Sequence, residues 1–311
     1  MAFRLPFDRD LDDSLRQIAR EELTEAVRLL RDDYSDDPVT AVHEARKNLK
    51  KTRALLRLAR PGLEKETYRR ENAAIRDAAR LISGARDADV MLQTVDVLAK
   101  REDSRVSPDA FAGLRGRLNQ PSDAAALPAG ESANGQSPTP ASDGGAPAAV
   151  IDALTAVIGR IDGWPLDCEW TTIGRGISRA YKRGRDAFVE ADIDPTTDNL
   201  HDWRKRVKDL WYHHRLLTDA WPDVLGVIAE EAHRLSELLG DDHDLGVLAE
   251  RVAGADDAAI LELIGEARAE HLRDARRLGR RIYAETGAAF TTRVQAYLRC
   301  AEAEAARDAS A

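Results

Sequence analysis

The sequence predicts an all-α protein made of two four-helix up-down bundles joined by a disordered linker, and three observations carry that prediction. Its 311 residues are 43% hydrophobic, 32% charged and only 5% aromatic, the balance of a helix-rich globular chain. Apolar residues recur at the helical period on both sides of one Pro, Gly, Ser and Ala-rich stretch, residues 120–149. A segment beginning Val42-His43-Glu44-Ala45-Arg46-Lys47 returns as Leu200-His201-Asp202-Trp203-Arg204-Lys205, a separation that argues for a duplicated unit.

In the first half, residues 1–119, helices are expected over 9–34, 38–60, 64–83 and 87–118. Their breaks fall at Ser35-Asp36-Asp37-Pro38, at Pro61-Gly62 and at Ser83-Gly84, where proline or glycine interrupts the periodic pattern. The linker, 120–149, contains Pro121, Pro128, Pro138, Pro140 and Pro147 and almost no large apolar side chain, so it has no means of building a core. The second half, 150–311, yields helices over 150–161, 169–191, 196–219, 222–240, 243–254 and 256–304. Asp194-Pro195-Thr196-Thr197 and Trp221-Pro222 supply two of the breaks. Gly240-Asp241-Asp242 reads as a third, with the aspartates before Leu245 capping the next helix by accepting its orphan amides. Asp87 and Asp89 are their counterparts in the first half. Antiparallel helices joined by short turns bury their apolar stripes in one shared core.

Several function classes are disfavoured by composition. Net charge is -9, which argues against general nucleic-acid binding, since phosphate contacts need local positive potential. The low aromatic content also leaves few platforms for stacking bases. Cys168 and Cys300 stand outside any metal-ligand spacing and suggest neither a disulfide framework nor zinc. Glu230-Glu231-Ala232-His233 is a single match to a di-metal bundle motif that needs two. No P-loop is present, and neither a cofactor nor a metal is expected. No apolar run approaches the roughly 20 residues that span a bilayer, and the start lacks a signal-type apolar region, so the cytoplasm is the expected compartment.

The repeated segment is where the charge concentrates. From His43, the residues Arg46, Lys47, Lys50, Arg53 and Arg57 follow at +3, +4, +7, +10 and +14, broadly one helical face. From His201, Arg204, Lys205, Lys208 and Arg215 follow at +3, +4, +7 and +14, with Trp211 at +10, where it is read as a packing residue. Val42, Ala45, Leu49 and Leu56, and in the second copy Val207, Leu210 and Leu217, form the apolar side. Two further basic segments contain Lys182 with Arg183, and Arg276 with Arg280. One such face would be read as ion-paired and solvated. Two copies with the same array favour an anion-binding surface, in which Arg supplies a planar fork and Lys a mobile point charge. Each histidine fits a hydrogen bond to the anion or a buried tie between helices.

His43-Glu44-Ala45-Arg46-Lys47-Asn48-Leu49-Lys50-Lys51 and His201-Asp202-Trp203-Arg204-Lys205-Arg206-Val207-Lys208-Asp209 resemble the CHAD family, the histidine-bearing α-helical domain, over most of the chain on both sides of the linker. The resemblance implies two four-helix bundles related by pseudo-twofold symmetry, a basic central groove and non-catalytic binding of inorganic polyphosphate. It implies His43, Arg46, Lys47 and Lys50 as ligand contacts in one half and His201, Arg204, Lys205 and Lys208 in the other. Lys51, Arg53, Arg57 and Arg215 are added from the same helices, and Lys182, Arg183, Arg276 and Arg280 from the auxiliary basic segments. Polyphosphate is thus the expected partner, with polyphosphate granules a place where such a protein would gather. A generic polyanion or nucleic-acid binder and a helical interaction scaffold are the competing readings. Family members are often strongly basic overall, whereas this chain is acidic.

Overall fold

The structure, a computed structural model, describes residues 3–82, 87–101, 105–119, 145–252 and 258–310. Among them the chain is all-α, its one β feature an isolated bridge between Leu63 and Leu166. The helices are α1 (Leu11–Arg28), prolonged by a π-helical turn to Asp33, α2 (Pro38–Ala59), α3 (Lys65–Leu81), α4 (Asp87–Ala99) and α5 (Pro108–Asn119). They continue with α6 (Gly145–Ile158), α7 (Trp170–Ile193), α8 (Thr197–Leu216), α9 (Pro222–Arg251), α10 (Ala258–Ile282) and α11 (Gly287–Asp308).

Their starts follow capping chemistry. The Asp37 carboxylate accepts from Thr40 N at 3.0 Å with Pro38 in the first turn of α2, and Thr196 Oγ1 accepts from Asn199 N at 3.3 Å at the start of α8. These two helices carry the repeated segment, and both begin where the sequence places them to within a residue.

Four expected boundaries are corrected. The helix expected over 87–118 is two, because Ser107-Pro108 starts a new one, with Ser107 Oγ accepting from Ala110 N at 3.2 Å. The one expected over 256–304 is divided before Thr286, which caps α11. Residues 222–240 and 243–254 are instead joined in the single α9, so Asp241 and Asp242 lie inside a helix and cap nothing. Asp242 is buried and accepts from Arg268 Nε of α10 at 3.0 Å. Glycine in a helix interior costs about 1 kcal/mol relative to alanine, and at Gly240 the absent side chain leaves room for the Arg204 guanidinium of α8, which a Cβ would approach to 2.6 Å. Finally, α6 begins at Gly145, five residues inside the expected linker; residues 120–144 lie outside the described ones.

Packing does not follow the expected halves. Helices α1, α2, α3 and α6 pack around one another, so a helix from beyond the linker completes the first group. In the second group α8 lies between α7 and α9, α11 covers α7, and α10 covers α9. The helices α4 and α5 pack on α9 and α10, joining Val95, Leu98 and Phe111 to Leu248, Leu263 and Ile264 in a separate apolar cluster. Elsewhere one continuous core runs through both groups, with Leu15, Leu49, Leu55, Trp164, Ile177, Trp203 and Phe290 all but inaccessible. The groups meet where α2 packs on α7 and α8.

This contact is close enough to require glycine. A methyl group on Gly176 of α7 would overlap the Leu58 carbonyl oxygen of α2, a backbone atom that cannot swing away. G176A is therefore expected to destabilise the protein by about 3 kcal/mol, read as a lower urea midpoint at unchanged slope. An unchanged midpoint would show that α7 and α2 are further apart than described.

Candidate anion-binding groove

Because α2 buries Val42, Ala45 and Leu49, and α8 buries Leu200, Trp203, Val207 and Leu210, the polar stripes of both helices are left outside the core. Where α2 and α8 meet, those stripes open into a cavity of about 620 Å³. His43, Lys47 and Lys50 enter it from α2, and Arg204, Lys208 and Trp211 from α8. The two copies of the motif, separated by some 150 residues in sequence, thus supply four cations to one concave surface.

The third wall is acidic. The helix α9 contributes His233, Glu237, Asp241 and Asp244, the acids recurring at helical spacing on one face. His233 Nδ1 lies 3.5 Å from Glu237, and its ring packs 4.1 Å from that of Trp211. On α2, Glu44 accepts from Lys47 at 3.0 Å and lies 3.8 Å from His43 Nε2. Desolvation by the groove walls pushes the Asp241 carboxyl above its ordinary range; Asp244 and Glu237 add to this, against the pull of His271 and Arg204.

Other residues implicated by the sequence lie elsewhere. Lys51 pairs with Glu22 of α1 at 2.9 Å, both largely buried, and sits over the Phe3 ring. Arg57 bridges to Asp209 of α8 at 2.9 Å, while Arg53 donates to Asn72 of α3 at 3.2 Å and is held down to about 10 by desolvation. Arg183 of α7 feels Arg206, Asp209 and Asp202, on the Asp209 side of α8, and desolvation lowers its pKa. Lys182 is exposed on the same helix. Arg276 and Arg280 reach Asp192 at 3.0 and 3.6 Å, tying α10 to the end of α7. Arg46 and Lys205 belong to the motif but do not line this cavity.

His201 departs from its counterpart. It lines a smaller cavity of about 270 Å³ with His243, the rings 5.5 Å apart, and its pKa falls to about 4 through desolvation and the charges of Lys205, His243 and Arg204. The two motif histidines therefore face different spaces. Arg215 lies in a third cavity that adjoins the groove beyond Trp211. Trp211, read from sequence as a packing residue, does pack on Tyr212 and the core, and in addition forms a wall of both adjoining cavities.

A family model described as CHAD domain matches residues 9–253. Among solved structures, PptA from Streptomyces chartreusis shares the fold with a TM-score of 0.54 at 15% identity, over 88% of this chain and 99% of that one. No curated protein matches the chain.

Proposed function

The chain belongs to the CHAD domain family, and on that premise we propose that it is a non-catalytic protein that binds inorganic polyphosphate in the groove between α2 and α8. The observation that carries this reading is convergence: Lys47 and Lys50 from one copy of the motif and Arg204 and Lys208 from the other line the same cavity. A linear chain of phosphates matches such a surface, since every unit carries charge and none needs stacking or base readout. No helix among the described residues is long and apolar enough to cross a membrane, and the proposed setting is the cytoplasm.

Long-chain polyphosphate titrated into the protein at low ionic strength is expected to bind, with affinity falling steeply as salt rises. If the four cations each release about one condensed counterion, the logarithmic slope against salt is roughly −3, by the coefficient for single-stranded polyanions. No binding at low salt would remove the proposal. Equal displacement by heparin and single-stranded DNA at matched charge would replace it with a generic polyanion binder.

A further inference from the structure

The groove does not end at the repeated motif. Beyond Trp211 a second cavity, about 640 Å³, shares Trp211, His233 and Glu237 with the first, and Arg4, Arg215 and Arg234 line it. Phe3 and Arg4 lie ahead of the family match, which begins at residue 9. This N-terminal arm is held in place: Leu5 N donates to the Leu216 carbonyl at 2.8 Å, Phe3 is buried edge-on against Tyr212, and Arg4 reaches Asp219 at 3.1 Å. Arg215 is positioned over both the Phe3 and Trp211 rings, 5.6 and 5.5 Å from their centroids. Its equivalent in the first copy, Arg57, is instead paired to Asp209. The second copy of the motif thus leads into a second cavity, whereas the equivalent arginine of the first is tied to Asp209.

Resting on the polyphosphate reading, we infer that Arg4, Arg215 and Arg234 form a second phosphate subsite, reached only by a chain long enough to pass Trp211. From Arg204 to Arg215 the helix α8 runs about 16 Å, so the two cavities take successive segments of one ligand. Glu230 and Glu237 also line the second cavity, and with Asp219 on Arg4 they leave little net attraction for a free anion. Phosphates tethered to a segment already held in the first cavity arrive at high effective concentration and need no such excess. The subsite therefore confers preference for chain length.

The test compares an R4A/R234A double variant with the wild type, each titrated with long-chain polyphosphate and with tripolyphosphate. Both replaced side chains are exposed, and circular dichroism checks that the fold is kept. Affinity for the long chain is expected to fall roughly tenfold or more, with tripolyphosphate binding unchanged. Unchanged affinity for both ligands, or an equal loss for both with the fold intact, overturns the second subsite. Failure of the wild type to bind either ligand overturns the polyphosphate reading itself, and the subsite with it.

Discussion

Replacing Lys50 and Lys208 together by glutamate is expected to weaken polyphosphate binding by at least on the order of a hundredfold, while helicity and Tm stay near wild type. Each lysine lines the groove from a different copy of the motif, Lys50 exposed on α2 and Lys208 half-buried on α8. A charge-assisted contact contributes about 1.5–3 kcal/mol, and tenfold in Kd corresponds to about 1.4 kcal/mol, so losing two gives that range before repulsion is counted. The opposite sign is expected across the groove. D241N/D244N removes two negative charges from the wall that faces those cations across the cavity, and should tighten binding of a polyanion. Calorimetric titration at low ionic strength reads both. A fall in helicity in K50E/K208E would assign those lysines to the fold, and unchanged affinity would move the anion to another surface.

Below about pH 6.5 the protein is expected to lose stability steeply. His213 and His214 of α8 lie wholly inside the core, where burial holds both down to about 4 from 6.5. Each ring has one hydrogen-bond partner: His213 Nε2 meets the Ala54 carbonyl of α2 at 2.9 Å, and His214 Nδ1 the Leu210 carbonyl at 2.9 Å. The remaining ring nitrogens are buried with no hydrogen-bond partner among the described residues, so a second proton on either ring would go unpaired. The unfolded chain takes up those protons near pH 6.5 and the folded one only near 4, so the unfolded state binds more protons throughout that window. The stability is complete above pH 6.5 and is lost as pH falls toward 4, by roughly 3 kcal/mol for each histidine. For a domain whose total is about 5–15 kcal/mol, two such losses are decisive. His201 adds a smaller slope of the same sign, screened at the surface. Urea midpoints measured between pH 7.5 and 5.5, where ordinary carboxylates remain ionised, isolate the histidines. A flat profile there would contradict the burial, and H214Q should shallow the slope by about one proton.

Capping and periodicity made α2 and α8 legible, because Asp37-Pro38 and Thr196 act within a single turn of the helices they start. Where local signals compete with packing, packing decides. Gly240-Asp241-Asp242 resembles a break, yet α9 runs through it, with Asp242 buried and engaged by Arg268 of α10 rather than spent on a cap. The acidic wall depends on this continuity: Glu237, Asp241 and Asp244 fall on one face only because α9 is a single helix. The opposite holds within 87–118, where Ser107-Pro108 starts a new helix inside an apparently continuous pattern.

By itself the sequence determined the all-α class, the helices that carry the repeat, and which of their residues are cationic. Only the tertiary structure decided which cations share a cavity. Lys51, Arg57 and Arg276 are as basic in sequence as Lys50 and Lys208, but Glu22, Asp209 and Asp192 meet them from other helices. It also decided that the N-terminal arm and Arg234 of α9 extend the groove. The physical reason is one of range. Helical periodicity and capping act over about four residues, whereas burial and charge pairing depend on side chains brought together from as far as 215 residues away by the packing of the core.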